Sequence, residues 1–113
     1  MTETKFLYYK KIRTVWDSEK QVRFYCLKDV IKTLTNVKDT KNFLKKLRKR
    51  NKSLASNWSK LVIPIEMDTK SGRQKLNSTD AKSLLIIIQF MRYNKKAKLF
   101  MRWIKRLEDQ HNG

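Results

Sequence analysis

Between Lys11 and Leu34 the apolar residues change their spacing, and that change limits what the chain can fold into. Apolar and polar side chains alternate in residues 11–16 (KIRTVW) and largely again in residues 22–26 (VRFYC), on either side of the turn-forming DSEK at 17–20. Period-two alternation interrupted by a turn is the pattern of a β-hairpin. From Leu27 the spacing becomes helical. Leu27, Val30, Ile31 and Leu34 fall at i, i+3, i+4 and i+7, and this helix is expected to end near Thr35 and Asn36.

The next segment, residues 39–52 (DTKNFLKKLRKRNK), reads as a second helix with a thin apolar seam of Phe43, Leu44 and Leu47. Asp39 or Thr40 can cap it, and Asp39 also suits the positive end of the helix dipole. Lys41, Lys45, Arg48 and Lys52 line one exposed face, with Lys46, Lys49 and Arg50 beside them. Like charges at i,i+4 spacing repel. A folded protein gains nothing from such a cluster by itself, whereas nucleic-acid phosphates neutralise it with release of counterions. Two short helices with a tight link, the second carrying the charge, compare with a helix-turn-helix, although no glycine occupies the link.

After a polar connection through residues 51–59, the β-branched run LVIPI at 61–65 begins a second hairpin, with Pro64 favouring an edge or end position. It turns at residues 70–72 and returns through residues 73–76; Lys70 and Arg73 at its tip can grip phosphate as a wing. Asn77 and Ser78 are expected to open the next helix, with Asp80 favouring its N-terminus. There Leu84, Ile87, Ile88 and Met91 form one stripe, while Leu85, Ile86 and Phe90 make the other faces apolar, so the helix belongs in the centre of the core. It breaks around Tyr93 and Asn94. A last helix from about Lys95 places Ala97, Phe100, Met101, Ile104 and Leu107 inward, with Lys98, Arg102, Lys105 and Arg106 outward. Two β-hairpins packed with about four helices result.

Composition bounds the function. In 113 residues, 28 Lys plus Arg stand against 10 Asp plus Glu, a formal charge of +18 that exceeds what solubility requires and calls for an acidic partner. The charge recurs along the chain, which argues for a folded cationic surface. At 40% apolar content the chain can bury one modest core, so residues 1–113 are expected to form a single domain. Cys26 has no partner for an internal disulfide and is expected to be an ordinary core residue. No signal-peptide pattern opens the chain, and its longest apolar run, residues 84–88, is too short to cross a bilayer; a cytoplasmic protein is expected, with no membrane partner.

Residues for chemistry are scarce. His111 lies two positions from the end, Cys26 is expected to have neither a helix-terminal nor a histidine partner, and no Cys/His spacing suits zinc. Glu66 and Asp68 alternate on one side of a strand, which fits a solubilising face better than a Mg²⁺ site. Neither Gly72 nor Gly113 belongs to a phosphate-cradling loop. No catalytic residue, metal or cofactor is expected. Tyr8, Tyr9, Trp16, Phe24, Tyr25 and Trp58 could stack on single-stranded bases, but a small domain needs large side chains on the inner face of its hairpin, and Trp16 with Phe24 fits that need. Trp103 is expected at the edge of the same core, and Trp58, among Ser56, Asn57 and Ser59, is expected to be exposed.

The order of these blocks is also informative. IRTVWDSEKQVRFYCLKDVIKTLT, DTKNFLKKLRKR, LVIPIEMDTKSGRQKLNSTDAKSLLIIIQF and KAKLFMRWIKRL, spanning about residues 6–107, together resemble the BRO N-terminal domain of phage antirepressor-type proteins and large DNA viruses. The shared features are a Trp-Asp pair at the first turn, an Asp-Val in the first helix, a Leu-rich helix after a Thr-Asp, and a Phe-x-Arg-Trp near the end. The resemblance implies an α+β domain with DNA-binding activity, its contacts falling on the basic helix, here Lys41 to Lys52.

The expected function is non-enzymatic binding of double-stranded DNA, in transcriptional regulation or antirepression. Lys41, Asn42, Lys45, Lys46, Arg48, Lys49, Arg50 and Lys52 would form the site with Lys70 and Arg73, and Asn42 and Asn51 could read adenine edges. Many relatives carry a further C-terminal domain, whereas this sequence ends at Gly113, which weakens antirepression as such. The rival reading is a small phage inhibitor that binds a host defence nuclease or its nucleoprotein complex. Oligomeric state stays open, a symmetric homodimer being one form that groove-binding helix pairs take.

Overall fold

The alternating segments and their turn form the expected hairpin. In the computed structural model, which describes residues 1–7, 10–91 and 95–112, β2 (Lys10–Asp17) pairs antiparallel with β3 (Val22–Cys26). Asp17 Oδ1 closes the turn by accepting from the backbone N–H groups of Glu19 at 3.0 Å and Lys20 at 3.1 Å, and Gln21 takes a left-handed φ of 56° before the return strand. Ahead of it lies a strand that alternation alone does not reveal, β1 (Thr2–Leu7), paired antiparallel with β2. Tyr8 and Tyr9 lie outside the described residues.

Helix α1 (Leu27–Thr35) follows β3 without a loop and buries Leu27, Val30, Ile31 and Leu34. It ends at Asn36, whose φ of 61° supplies the left-handed cap usually given by glycine; this is how the link to α2 (Thr40–Arg50) dispenses with one. Asp39 caps α2, accepting from the Asn42 N–H at 2.9 Å. The polar segment expected as a connection is instead a helix, α3 (Lys52–Leu61), with only Leu54 fully buried. Leu54, Trp58 and Leu61 do recur at i, i+4 and i+7, but they are the only large apolar side chains in a run of Ser, Asn and Lys, so the stripe is thin.

The second hairpin is longer than its apolar run suggests. Strand β4 (Ile63–Thr69) starts two residues after Leu61, which closes α3, and β5 (Gly72–Thr79) runs on through Asn77 and Ser78. Those two residues therefore do not open helix α4 (Ala81–Phe90); Asp80 caps it, accepting from the Ser83 N–H at 2.7 Å. Gly72 turns the hairpin at φ +100°. In α4, Leu84, Ile87 and Ile88 are buried, while Leu85, Ile86 and Phe90 are half-buried and so lie off the centre of the core. The expected break at Tyr93 and Asn94 lies outside the described residues. Helix α5 (Lys95–Asn112) buries Phe100 and Ile104 and exposes Lys98, Arg102, Lys105 and Arg106.

Among the described residues the strands make one antiparallel sheet in the order β1-β2-β3-β5-β4, and five helices accompany it, an α+β architecture. The sheet curls until its edges meet: β4 packs against β2, and the Asp68 N–H donates to Thr2 Oγ1 of β1 at 2.9 Å. Register puts Ile12, Thr14 and Trp16 on the same face as Tyr25 and Arg23, and Val15 with Phe24 on the other. Trp16 and Phe24 are therefore on opposite faces and not on one inner face. Both faces are covered, so Phe24, Tyr25 and Cys26 are all buried. Tyr25, not Trp16, enters the main core, where its hydroxyl donates to Glu108 of α5 at 3.1 Å; burial first, and the Glu108 charge second, push its pKa up. Trp103 stands at the margin of that core, edge-on to Tyr25 and donating through Nε1 to the Phe6 carbonyl at 3.0 Å.

One polar tie fastens α1 to the sheet. Arg13 of β2 donates to Asp29 three times, through its backbone N–H at 2.9 Å, Nε at 2.8 Å and Nη2 at 2.8 Å. The pair is largely removed from solvent, and the Asp29 hydrogen bonds push the Arg13 pKa further up. Asp29→Ala strands a shielded guanidinium, at a cost of about 3 kcal/mol. Thermal unfolding of the variant should show a Tm lower by roughly 10 °C or more; an unchanged Tm would remove the tie from any structural role.

Candidate nucleic-acid interface

Burial of Thr40, Leu44 and Leu47 fixes how α2 is rotated. At about 3.6 residues per turn, Asn42, Lys45 and Lys49 then point directly away from the body, and all three are exposed. Lys41 and Arg48 lie on one flank, with Lys46 and Arg50 on the other. The second flank, with Lys49 and half-buried Phe43, borders a shallow hollow of about 250 Å³. Lys52 opens α3, and Asn51 is shared between the helices: it is the C-cap of α2 and the N-cap of α3, and its Nδ2 donates to the Leu47 carbonyl at 2.8 Å. That bond engages the amide expected to be a base reader, whereas the Asn42 side chain stands free of such a cap.

The first flank faces a larger groove of about 370 Å³ lined by Leu27 and Lys28 of α1, Thr40, Lys41, Leu44 and Arg48 of α2, Trp58 of α3, and Lys75, Leu76 and Asn77 of β5. It opens where β5 leaves β3, their pairing being limited to Tyr25 with Thr79 and Cys26 with Ser78. Trp58 is half-buried here and not exposed. The Arg48 guanidinium lies 4.3 Å from its ring centroid, a stacked cation–π contact.

From Thr40 to Ile65 the sequence contains no Asp or Glu. Among the described residues, no carboxylate lies within 4.0 Å of any cation of α2, or of Lys28, Lys52 or Lys75. The acidic residues that do form ion pairs are elsewhere: Glu3 with Lys5 and Arg23, Asp29 with Arg13, and Glu66 and Asp68 with Arg73.

That last pairing bears on the hairpin tip. Arg73 is 3.6 Å from Glu66 and 3.5 Å from Asp68, so its charge is balanced locally. Lys70 borders a different hollow, with Thr4, Lys11, Arg13, Asp29, Asp68 and Thr69. The tip thus lies apart from the groove beside α2, and from the same hairpin it is Lys75 and Asn77, nearer its base, that reach it. Sequence reasoning missed Lys28, Lys75 and Asn77. Lys75 sits two residues beyond Arg73, but nothing in the local pattern shows that β5 separates from β3 at that height.

Contrary to expectation, Cys26 does stand at a helix terminus: because α1 follows β3 without a loop, it occupies the N-cap of α1, a position that by itself favours a thiolate. Burial opposes this and prevails, pushing the thiol up to about 11. No group of three or more His, Cys, Asp or Glu that could hold a metal ion occurs among the described residues, and none of their helices is long and apolar enough to cross a membrane. Comparison of the chain with family models, curated proteins and solved structures found no match.

Two outcomes follow from this electrostatics. Lys45→Glu replaces two repulsive i,i+4 pairs, with Lys41 and Lys49, by attractive ones and should stabilise the fold by about 1 kcal/mol. A higher urea midpoint at constant m-value would show it, and a lower one would mean that the α2 cations do not repel. Below about pH 8.5, the usual thiol pKa, the contribution of Cys26 to stability is complete, and it is lost as pH rises through about 11. Native protein at about pH 8 should accordingly resist iodoacetamide that alkylates the urea-unfolded chain readily; equal rates in both states would contradict the burial argument.

Proposed function

We propose that this chain is a non-enzymatic, cytoplasmic binder of double-stranded DNA, using α2 as the element that enters the major groove. The observation that supports it most is the distribution of charge around α2: a ridge of Asn42, Lys45 and Lys49 directed outward, cations on both flanks, and no carboxylate within ion-pair distance among the described residues. A helix lying in the major groove has a phosphate strand on either side and base edges in front. Lys41 and Arg48 on one flank, and Lys46 and Arg50 on the other, suit the two strands. Asn42 suits an adenine edge. An anionic partner would relieve the repulsion stored in this helix.

The order of sequence blocks supports a more specific version, a regulator of the BRO N-terminal type. The short α1–α2 link supports it as well, since α1 is clamped to the sheet and so braces the helix that would do the reading.

Fluorescence anisotropy with labelled duplex DNA, single-stranded DNA and duplex RNA at several salt concentrations tests this reading. Duplex DNA should bind tightest, with log affinity falling against log salt at a slope of about −5 if six or so phosphates are engaged. Lys45→Ala/Arg48→Ala/Lys49→Ala should lose that binding while keeping its thermal transition. A slope near zero, or equal weak binding to all three ligands that the triple variant leaves unchanged, would overturn the proposal and turn attention to a protein partner.

A further inference from the structure

The groove between α1, α2, α3 and β5 is not accounted for by a helix that merely lies along DNA. We infer that it is a phosphodiester clamp: Arg48, held in place by Trp58, with Lys28, Lys41 and Lys75, grips the backbone of the DNA strand that passes along the Lys41–Arg48 flank of α2. This inference rests on α2 entering the major groove.

Four cations from three elements line the groove, and no carboxylate does. Glu66 lies directly across the β4–β5 ladder from Lys75, but its carboxylate is 3.6 Å from Arg73. Thr40 and Asn77 add neutral hydrogen-bonding groups to the same walls. At about 370 Å³ the space exceeds a phosphate several-fold, so the adjoining sugar can enter with it.

Arg48 differs from the other cations of α2 because it is half-buried and its guanidinium is stacked 4.3 Å from the Trp58 ring. A stacked guanidinium keeps its edge free, and that planar fork matches two phosphate oxygens. Stacking also removes much of the rotamer freedom that a lysine would lose on binding. Trp58 is thus a positioning residue: it belongs to the apolar margin of the core and holds Arg48 over the groove before any ligand arrives. Lys28 and Lys75 matter for a second reason. Since neither is on α2, together they make the contact depend on the tertiary fold and not on the helix alone.

The test repeats the duplex titration with the full chain carrying Lys28→Gln/Lys75→Gln, Trp58→Leu or Trp58→Phe, each checked for an unaltered circular dichroism spectrum and Tm. Lys28→Gln/Lys75→Gln should weaken duplex binding by about tenfold or more and make the salt slope shallower by about 2, one unit for each cation withdrawn from phosphate. Trp58→Leu should flatten the slope by about 1 through loss of a positioned Arg48, and Trp58→Phe, which keeps an aromatic face, should restore most of it. If the groove variants bind with wild-type affinity and slope while Lys45→Ala/Arg48→Ala/Lys49→Ala abolishes binding, the clamp is wrong and the helix reading stands. If wild-type protein shows no salt-dependent duplex binding, both fall.

Discussion

The arrangement of this molecule depends on the contact between Arg13 and Asp29. A nine-residue helix such as α1 has little stability of its own, and it leaves the end of β3 with no loop to limit its direction. Three hydrogen bonds from one arginine to one carboxylate fix its first turn against β2. The link at residues 36–39 then transmits that direction to α2, because the left-handed Asn36 and the Asp39 cap leave little slack. A charge pair on the sheet side of α1 therefore helps to set where the cationic surface points.

The same polarity divides the molecule. Most of its carboxylates serve structure: Asp17 closes a turn, Asp39 and Asp80 cap helices, Asp29 fastens α1, and Glu66 and Asp68 balance Arg73. Beyond the Asp39 cap, this leaves the exposed faces of α2, the opening of α3 and Lys75 at the base of β5 with no carboxylate in ion-pair distance among the described residues. A chain under no requirement to bind an anion would gain stability by placing glutamates among those lysines, so the absence of acids from Thr40 to Ile65 is a cost that the fold tolerates.

Elements that bury a regular stripe were legible in the sequence. Helices α1, α2, α4 and α5, the β2–β3 hairpin and the Asp39 cap all follow from local period and capping chemistry, since in each the inward residues recur at a fixed interval. What was not legible depends on distant chain. Strand β1 alternates too weakly to announce itself, and it is held by pairing with β2 and by the Asp68–Thr2 bond. Helix α3 buries a single leucine completely. Trp16 and Phe24 look alike as large side chains of one hairpin, but the pairing register puts them on opposite faces, and this curled sheet covers both. For the interface, the exposed cations of α2 were readable from its wheel. Lys28, Lys75 and the Arg48–Trp58 stack were not, because no local rule reports where two strands part company.

Asn51 ends one helix and begins the next within a single residue, accepting from the Ala55 N–H at 3.0 Å while its own N–H donates to Arg48 at 3.2 Å. No spacer separates α2 from α3, so their azimuths are geared together. One residue inserted within α3 ahead of Trp58 would turn the indole by about 100° around the helix axis and carry it away from the guanidinium it now supports. Variation at this junction is thereby confined to exchange of one side chain for another, and the number of residues between Arg48 and Trp58 is itself a structural quantity of the fold.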